Sequence, residues 1–303
     1  MIRPTLSDRE RDGLHGPVKS VADEYSTTVF DRDGKILEWS GNTSHGRVER
    51  KYVYDQSGRL VRISGSNGDW VDEFRYDERS RKTRIRRVPA RPEQGSRAYG
   101  IGAAFDAVSE GEIFDGGGRV ETAYTERDQP LETKILDDEE VVLFRIVYTY
   151  GANGRLSEEK MVTENLPLPK AFRDQIPPEH RAAVLEQMKA QRAEISQRNG
   201  LSGDAERSYV YDHAGNMVER HMRRGSIRED ITWRYNQRGD AIEWTRTAGG
   251  FPHPTGEISE PSVQCAWSYE YDEHGNWKSR TESTRVGETE TARIHVRQLT
   301  YHD

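Results

Sequence analysis

The chain has 303 residues, of which 33% are hydrophobic and 32% are charged, and its formal net charge is −7. This balance is too poor in apolar residues for a thick three-layer core, and it favours a thin architecture in which each strand buries one face. An acidic chain of this kind also lacks the overall positive charge that is typical of nucleic-acid-binding proteins.

From residue 30 onward the dominant element is a short phrase made of an aromatic residue, a polar residue, two further residues and glycine. In YVYDQSGRLVRI (52–63), β-branched and aromatic residues flank a polar break, a pattern that predicts a β-hairpin. Asp55 can accept hydrogen bonds from the backbone N–H groups two and three residues further on. Gly58 can take the positive φ of a type I turn followed by a G1 bulge. The phrase therefore predicts a hairpin turn.

The phrase recurs along most of the chain. The copies are FDRDGKI (30–36), YDQSGRL (54–60), FDGGGRV (114–120), YGANGRL (150–156), YDHAGNM (211–217), YNQRGDA (235–241) and YDEHGNW (271–277). A degraded copy, YDERSRK (76–82), has Ser80 in the glycine position, and AYTERDQPL (123–131) is a further candidate. The predicted structural turn residues are Asp31, Gly34, Asp55, Gly58, Asp115, Gly118, Gly154, Asp212, Gly215, Gly239, Asp272 and Gly275.

Several neighbouring copies are spaced by 22 to 24 residues, which is room for two strands and two turns, and wider gaps of 36 to 38 residues leave room for a degraded unit or a longer loop. A single hairpin is marginally stable in water, so each unit needs the next one to complete its sheet. The sequence therefore predicts an all-β fold, a continuous and strongly twisted antiparallel meander of hairpins. Whether the sheet stays open and curved or becomes barrel-like is left open.

The recurring YDxxGRL with flanking aromatic residues resembles the YD repeat of the RHS family, which includes bacterial Rhs proteins, insecticidal-toxin C components and teneurins. The resemblance covers roughly residues 14–282, with one interruption. It implies a coiled antiparallel ribbon, which closes into a hollow shell in large members. This chain has too few repeats to enclose a toxin domain and no self-cleavage segment. The resemblance thus implies a small stand-alone bacterial member and a link to bacterial surface or toxin systems.

The interruption is a Pro-rich insertion at 164–200 within what we predict to be a single β domain spanning 1–303. Pro167, Pro169 and Pro177 mark irregular chain, and Pro178 is suited to the start of a helix. The composition from about 178 to 198 is helical, and Asn199-Gly200 provides a stop. We therefore expect one helix within about 170–199, either lying over the sheet or binding a partner.

The candidate binding residues belong to two groups. The run RSRKTRIRRVPAR (79–91) would place Lys82, Arg84 and Arg86 on one face of a strand, where they could meet phosphates of a nucleic acid or another anionic polymer. Trp39 and Trp244 follow their repeat glycines by five residues, and they could pack between units or form a stacking platform for sugars or peptides. A solvated strand face is the alternative for the basic run.

No motif in the sequence indicates catalysis, a metal site or a cofactor. The repeated aspartates are too far apart in sequence to suggest a calcium site, and the histidines lack metal-ligand spacing. Cys265 lies in an apparent strand and is expected to be a packed side chain. A carboxylate-based glycoside hydrolase remains an alternative, with Glu38 and Glu243, or Asp137 to Glu140, as its acids.

The leading prediction is a non-enzymatic binding or scaffold protein that presents a repeat-built β surface to a protein or glycan partner, with no cofactor and no nucleic acid. No apolar run approaches the roughly 20 residues of a membrane span. The start, MIRPTLSDRERDGLHG, has no apolar signal-peptide segment, so the sequence as it stands predicts a cytoplasmic protein. If a signal peptide was removed, the protein is instead periplasmic or secreted. The oligomeric state stays open.

Overall fold

The fold was analysed in a computed structural model, which describes residues 7–43, 46–65, 71–88, 118–164, 175–199, 204–253, 256–258 and 262–302. The helices are α1 Asp8–Arg11 and α2 Pro178–Asn199. The strands are β1 Val18–Ala22, β2 Ser26–Phe30, β3 Ile36–Thr43, β4 Gly46–Tyr54, β5 Leu60–Gly65, β6 Val71–Tyr76, β7 Lys82–Val88, β8 Gly118–Tyr124, β9 Pro130–Asp137, β10 Val142–Tyr150, β11 Leu156–Thr163, β12 Ala205–Tyr211, β13 Met217–Arg224, β14 Ile227–Tyr235, β15 Ala241–Gly249, β16 Phe251–His253, β17 Gly256–Ile258, β18 Val263–Tyr271, β19 Trp277–Val286, β20 Thr289–Val296 and β21 Gln298–Tyr301.

Nineteen of the described strands form one antiparallel sheet, and β16 and β17 form a separate two-stranded ribbon. From β1 to β15 each strand pairs with the next one in sequence. The sheet continues from β15 through β18 and β19 to β20. The predicted all-β meander is thereby confirmed.

The meander forms a nearly closed barrel rather than an open curved sheet. The last stretch of chain makes the closure, because β20 pairs with β19 while β21 pairs with β1. Between these two strands, the backbone N–H of Arg297 donates to the carbonyl oxygen of Lys278 over 2.8 Å. One continuous segment therefore joins the end of the sheet to its beginning.

The repeat turns explain why the chain reverses where it does. Asp55 Oδ1 accepts hydrogen bonds from the backbone N–H groups of Ser57 and Arg59, each over 2.9 Å. The sequence predicts that the Asp55 side chain accepts from the N–H groups two and three residues further on. The first of these bonds is present, but the N–H three residues further on, that of Gly58, instead donates to the Asp55 carbonyl oxygen over 2.9 Å and closes the turn. The register shifts between Val53 and Tyr54, as a β-bulge requires.

The other predicted turn residues share this geometry, with one exception. Backbone N–H groups of their own turns donate to the side chains of Asp31, Asp55, Asp212 and Asp272. Positive φ angles between 74° and 101° occur at Gly34, Gly58, Gly154, Gly215, Gly239 and Gly275. Asp115 lies outside the described residues. Gly118 does not lie in a turn: it is the first residue of β8, and a Cβ there would collide with the carbonyl oxygen of Leu136.

Four repeat tyrosines connect their turns to the preceding turn. In each of the four, the tyrosine hydroxyl donates to the carbonyl oxygen that lies two residues after the glycine position of that preceding turn. The pairs are Tyr54 to Ile36 over 2.8 Å, Tyr76 to Leu60 over 2.9 Å, Tyr150 to Pro130 over 2.7 Å and Tyr235 to Met217 over 2.7 Å. Phe30 lacks a hydroxyl, and it lies in the first copy, which has no earlier copy to contact.

The apolar core is divided into two clusters. The larger one lies on β8 to β13 and comprises Val120, Ile135, Leu143, Phe144, Ile146, Met161, Ala205 and Met222. The smaller one, of Leu14, Val18 and Phe30, lies where the N-terminal segment meets the first hairpin, and Leu299 and Tyr301 of β21 pack against it. Hydrophobic packing therefore supports one wall and the closure.

The insertion contains the predicted helix, α2, which confirms the single helical interruption of the β fold. Its flanking strands β11 and β12 pair with each other, with Glu158 opposite Ser208. The insertion is therefore an extension of one hairpin loop. The Nη1 of Arg181 contacts Glu139 Oε1 over 2.9 Å and connects the first turn of α2 to the β9–β10 turn. In the described ranges, no helix combines the length and apolarity needed to cross a bilayer.

Candidate tryptophan and arginine binding site

Alternate residues of the strands face the barrel interior. Along β14 the odd-numbered residues from 227 to 235 are less exposed than their neighbours, and β18 shows the same alternation from 263 to 271. The inward set includes the repeat tyrosines, since Tyr235 and Tyr271 end these two strands. Counting back from each repeat tyrosine in steps of two along its strand therefore identifies the inward-facing positions.

Four tryptophans lie on neighbouring strands of this inner surface: Trp233 on β14, Trp244 on β15, Trp267 on β18 and Trp277 on β19. We call this group the tryptophan wall. Trp233 and Trp244 are register partners, and all four side chains are partly buried. A sheet of this length brings them together although 44 residues separate the first from the last.

The two tryptophans singled out from the sequence lie apart. Trp244 belongs to the tryptophan wall, whereas Trp39 lies on β3. The Trp39 ring lies against Gly41, where a side chain would collide with it, and the Arg50 guanidinium stacks 4.4 Å from its centroid. Trp39 is thus covered within its own part of the sheet.

Two inward-facing carboxylates hold the polar side chains around the tryptophan wall. Glu229 accepts from Arg220 over 3.0 Å and from Arg246 over 2.7 Å, and it is only 8% exposed. Glu282 accepts from the Trp267 indole N–H over 2.9 Å and lies 3.6 Å from His295. Buried carboxylates need such partners, and these contacts fix the side chains of the wall.

Arg280 and Arg297 stack on tryptophan rings, whereas Arg220 and Arg246 pair with a carboxylate. Their guanidinium groups lie 5.2 Å and 3.4 Å from the Trp277 centroid, and Arg280 also lies 5.8 Å from that of Trp267. Burial, followed by the repulsion of Arg280, lowers the pKa of Arg297 to about 10. Burial also raises the pKa of the neighbouring Tyr269 hydroxyl to about 12.

The predicted basic stripe is not an exposed surface. Lys82, Arg84 and Arg86 do share one face of β7, but that face points inward. Arg86 makes a bidentate pair with Asp72 over 2.7 and 2.9 Å, and Arg84 lies 3.6 Å from the same carboxylate. Lys82 pairs with Asp128 over 2.6 Å. The basic run therefore forms no exposed positive stripe, because all three cations face inward beside acids from neighbouring elements and Arg86 is buried.

The sequence-derived carboxylates do not assemble into one cleft. Glu38 and Glu243 face outward from β3 and β15, and Glu243 pairs with Arg234 over 2.8 Å. Asp137 to Glu140 form the β9–β10 turn. Cys265 is buried, and burial raises the pKa of its thiol. Among the described residues, no group of three His, Cys, Asp or Glu side chains has metal-binding geometry.

The sequence reasoning missed the inward charged residues Glu229, Arg246, Arg280, Glu282 and Arg297. Glu229 carries a signal in the sequence, because it lies six residues, three steps of two, before Tyr235 on β14. The bulge next to Tyr271 interrupts this count on β19, so that both Trp277 and Arg280 point inward. Arg297 lies between strands, where counting in twos has no basis.

Comparisons with known proteins give no family. No protein-family model and no curated protein matches the sequence. Similar solved structures include a porin-like protein from Bacteroides uniformis ATCC 8492 (TM-score 0.41, 9% identity, 95% of this chain and 98% of that chain covered). Another is a porin-like protein from Bacteroides vulgatus ATCC 8482 (0.37, 10%, 94% and 98%). A third is the Photorhabdus luminescens Tc holotoxin pore (0.19, 12%, 88% and 15%). These values support no inference about function.

Proposed function

We propose that this protein is a small stand-alone member of the RHS/YD-repeat family and a non-enzymatic binding protein whose ligand, a glycan or a segment of another protein, contacts the tryptophan wall. The repeat phrase with its tyrosine, aspartate and glycine supports the family assignment. A place in bacterial surface or toxin systems belongs to the same proposal.

The observation that carries this proposal is that some tryptophan rings have an arginine stacked on them and others do not. Arginine guanidinium groups stack on Trp39, Trp267 and Trp277. Within the described ranges, no ring or cation stacks on Trp233 or Trp244, which are partners on adjacent strands. Aromatic faces that carry no stacked ring or cation can stack on sugar rings or on apolar side chains of a partner.

A glycan array and a partner pull-down with wild-type protein and the Trp244→Ala variant test the function. Loss of a central tryptophan contact costs about 2 kcal/mol or more, so we expect at least a tenfold loss of affinity. The Trp39→Ala variant is the matched control, because it removes an inward tryptophan that Arg50 already covers. Equal binding by wild type and Trp244→Ala, or equal losses in both variants, would contradict the proposal.

A further inference from the structure

Arg280 and Arg297 form a cationic pair without a carboxylate partner. Across the part of the chain that the structure describes, no acidic side chain lies within ion-pair distance of either guanidinium, and each Nε is buried without a hydrogen-bond partner. Arg280 lies beside the Tyr269 hydroxyl, which itself donates to the Ala241 carbonyl oxygen over 2.5 Å. Trp277 thus holds two like charges close together.

The neighbouring arginines of the inner surface show that the fold can supply counter-charges. Glu229 pairs with Arg220 and Arg246, and Asp72 pairs with Arg86. At Arg297 the repulsion of Arg280 is larger than the attraction of Asp23 and larger than that of Asp12, each taken singly. Two like charges in a partly buried place lower the free energy of unfolding, and an anion between them would remove that cost.

We propose that Arg280 and Arg297 form a subsite for an oxyanion, a carboxylate or sulfate group, of an acidic glycan that contacts the tryptophan wall. This inference rests on the proposed function, and it narrows the ligand from glycans in general to acidic ones. Stacking on Trp277 restrains the planar guanidinium groups, and a restrained guanidinium can bind an oxyanion with charge-assisted hydrogen bonds.

Titration with inorganic sulfate, at constant ionic strength maintained with chloride, tests the subsite directly. We expect saturable shifts of the Arg280 and Arg297 Nε–H resonances in NMR spectra. Affinity should fall about tenfold or more in Arg280→Gln and in Arg297→Gln, since a charge-assisted hydrogen bond is lost. Arg86→Gln removes an inward-facing arginine on a distant strand that already pairs with Asp72, so it should retain wild-type affinity. Absence of saturable shifts, or an equal loss in Arg86→Gln, would overturn the subsite.

Thermal unfolding measures sulfate binding independently of the NMR spectra. Sulfate should raise the Tm of the wild type more than chloride does at equal ionic strength, because an anion that binds the folded state stabilises it. In Arg297→Gln this sulfate effect should disappear, and the Tm without sulfate should be equal to or above that of the wild type. A lower Tm for Arg297→Gln, together with no sulfate effect in the wild type, would reject the inference.

Matched glycans separate the subsite from the broader function. Oligogalacturonides and their methyl esters have the same sugar rings, and only the free acids carry carboxylates. Tighter binding of the free acids, lost in Arg280→Gln, supports the inference. Neutral glycans that bind through Trp244 without a sulfate effect would reject the subsite and retain the function. Sulfate binding without binding of any glycan would reject the acidic glycan as the ligand. The function would be rejected only if the pull-down also found no partner protein.

Discussion

At the scale of single residues, the fourth position of the repeat turn determines how well each copy is tolerated. Among the described non-glycine residues, positive φ angles occur at Ser80 (59°), Asp128 (61°) and Glu140 (66°), and all three occupy this position. The left-handed conformation costs a non-glycine residue about 1–2 kcal/mol. Asp128 pairs with Lys82 and Glu140 pairs with Arg119, and these ion pairs offset part of the conformational cost. Ser80 is uncharged and cannot offset the cost in this way.

Ser80→Gly should raise the free energy of unfolding by about 0.5–1 kcal/mol, because glycine adopts the positive φ without strain. Urea denaturation monitored by tryptophan fluorescence measures this change. Gly58→Ala, at the same position of the preceding turn, is the matched opposite and should lower the free energy of unfolding by about 1 kcal/mol. A stabilising Gly58→Ala or a destabilising Ser80→Gly would contradict the assignment of this position to backbone geometry.

At the scale of elements, the repeat phrase has a second role beyond turning the chain. The tyrosine hydroxyl connects its turn to the preceding one, and a basic residue that follows a glycine position stacks on the next repeat tyrosine. Examples are Lys35 on Tyr54 at 5.4 Å and Arg59 on Tyr76 at 4.7 Å. These contacts explain why several copies have a basic residue directly after the glycine, in addition to the turn residues. They also align the hairpins along one rim of the sheet.

Tyr235→Phe should lower the free energy of unfolding by about 1 kcal/mol, the usual net value of one hydrogen bond, since it leaves the Met217 carbonyl oxygen without its donor. Tyr211→Phe changes the same repeat position, where no hydroxyl hydrogen bond is present within the described ranges. This variant should change the free energy of unfolding by less than about 0.5 kcal/mol. Chemical denaturation of both variants gives the comparison. Equal effects would show that the hydroxyl contacts do not stabilise the stack.

At the scale of the whole molecule, the closure depends on one asparagine of the last repeat turn. Asn276 is 2% exposed; its Oδ1 accepts from the backbone N–H of His15 over 2.6 Å, and its Nδ2 donates to the carbonyl oxygen of His15 over 2.9 Å. Its Nδ2 also lies 3.1 Å from the Tyr301 hydroxyl, which donates to Asp272. The beginning and end of the sheet therefore meet at this turn.

Asn276→Ala should loosen the closure and lower the free energy of unfolding by roughly 2–3 kcal/mol, because buried backbone groups lose their partners. Hydrogen exchange should become faster in β1 and β21, where mass spectrometry can localise it. Asn216→Ala is the matched control, since Asn216 occupies the same repeat position. Among the described residues, its side chain hydrogen bonds only Asp212 of its own turn, over 3.0 Å. Similar exchange in β1 and β21 of both variants would refute a special role of Asn276.

Much of the fold follows from residues that are close in sequence. Asp55 and Gly58 act on backbone groups within four residues, and the helix starting at Pro178 depends on its own composition. Local rules of this kind predict the turns, the antiparallel meander and the helical interruption. They do not distinguish Lys82, Arg84 and Arg86 on an outer face from the same residues on an inner one, since both faces of β7 are rich in polar residues.

The parts that could not be predicted depend on contacts between distant residues. Closure joins His15 to Asn276 across 261 positions, and no local pattern records that partnership. Closure in turn makes one face of every strand the interior. It decides that Asp72 neutralises Arg86, that Trp39 and Trp244 lie apart, and that Arg280 and Arg297 converge on Trp277. Turn chemistry is a property of short segments, whereas burial and charge pairing are properties of the assembled barrel.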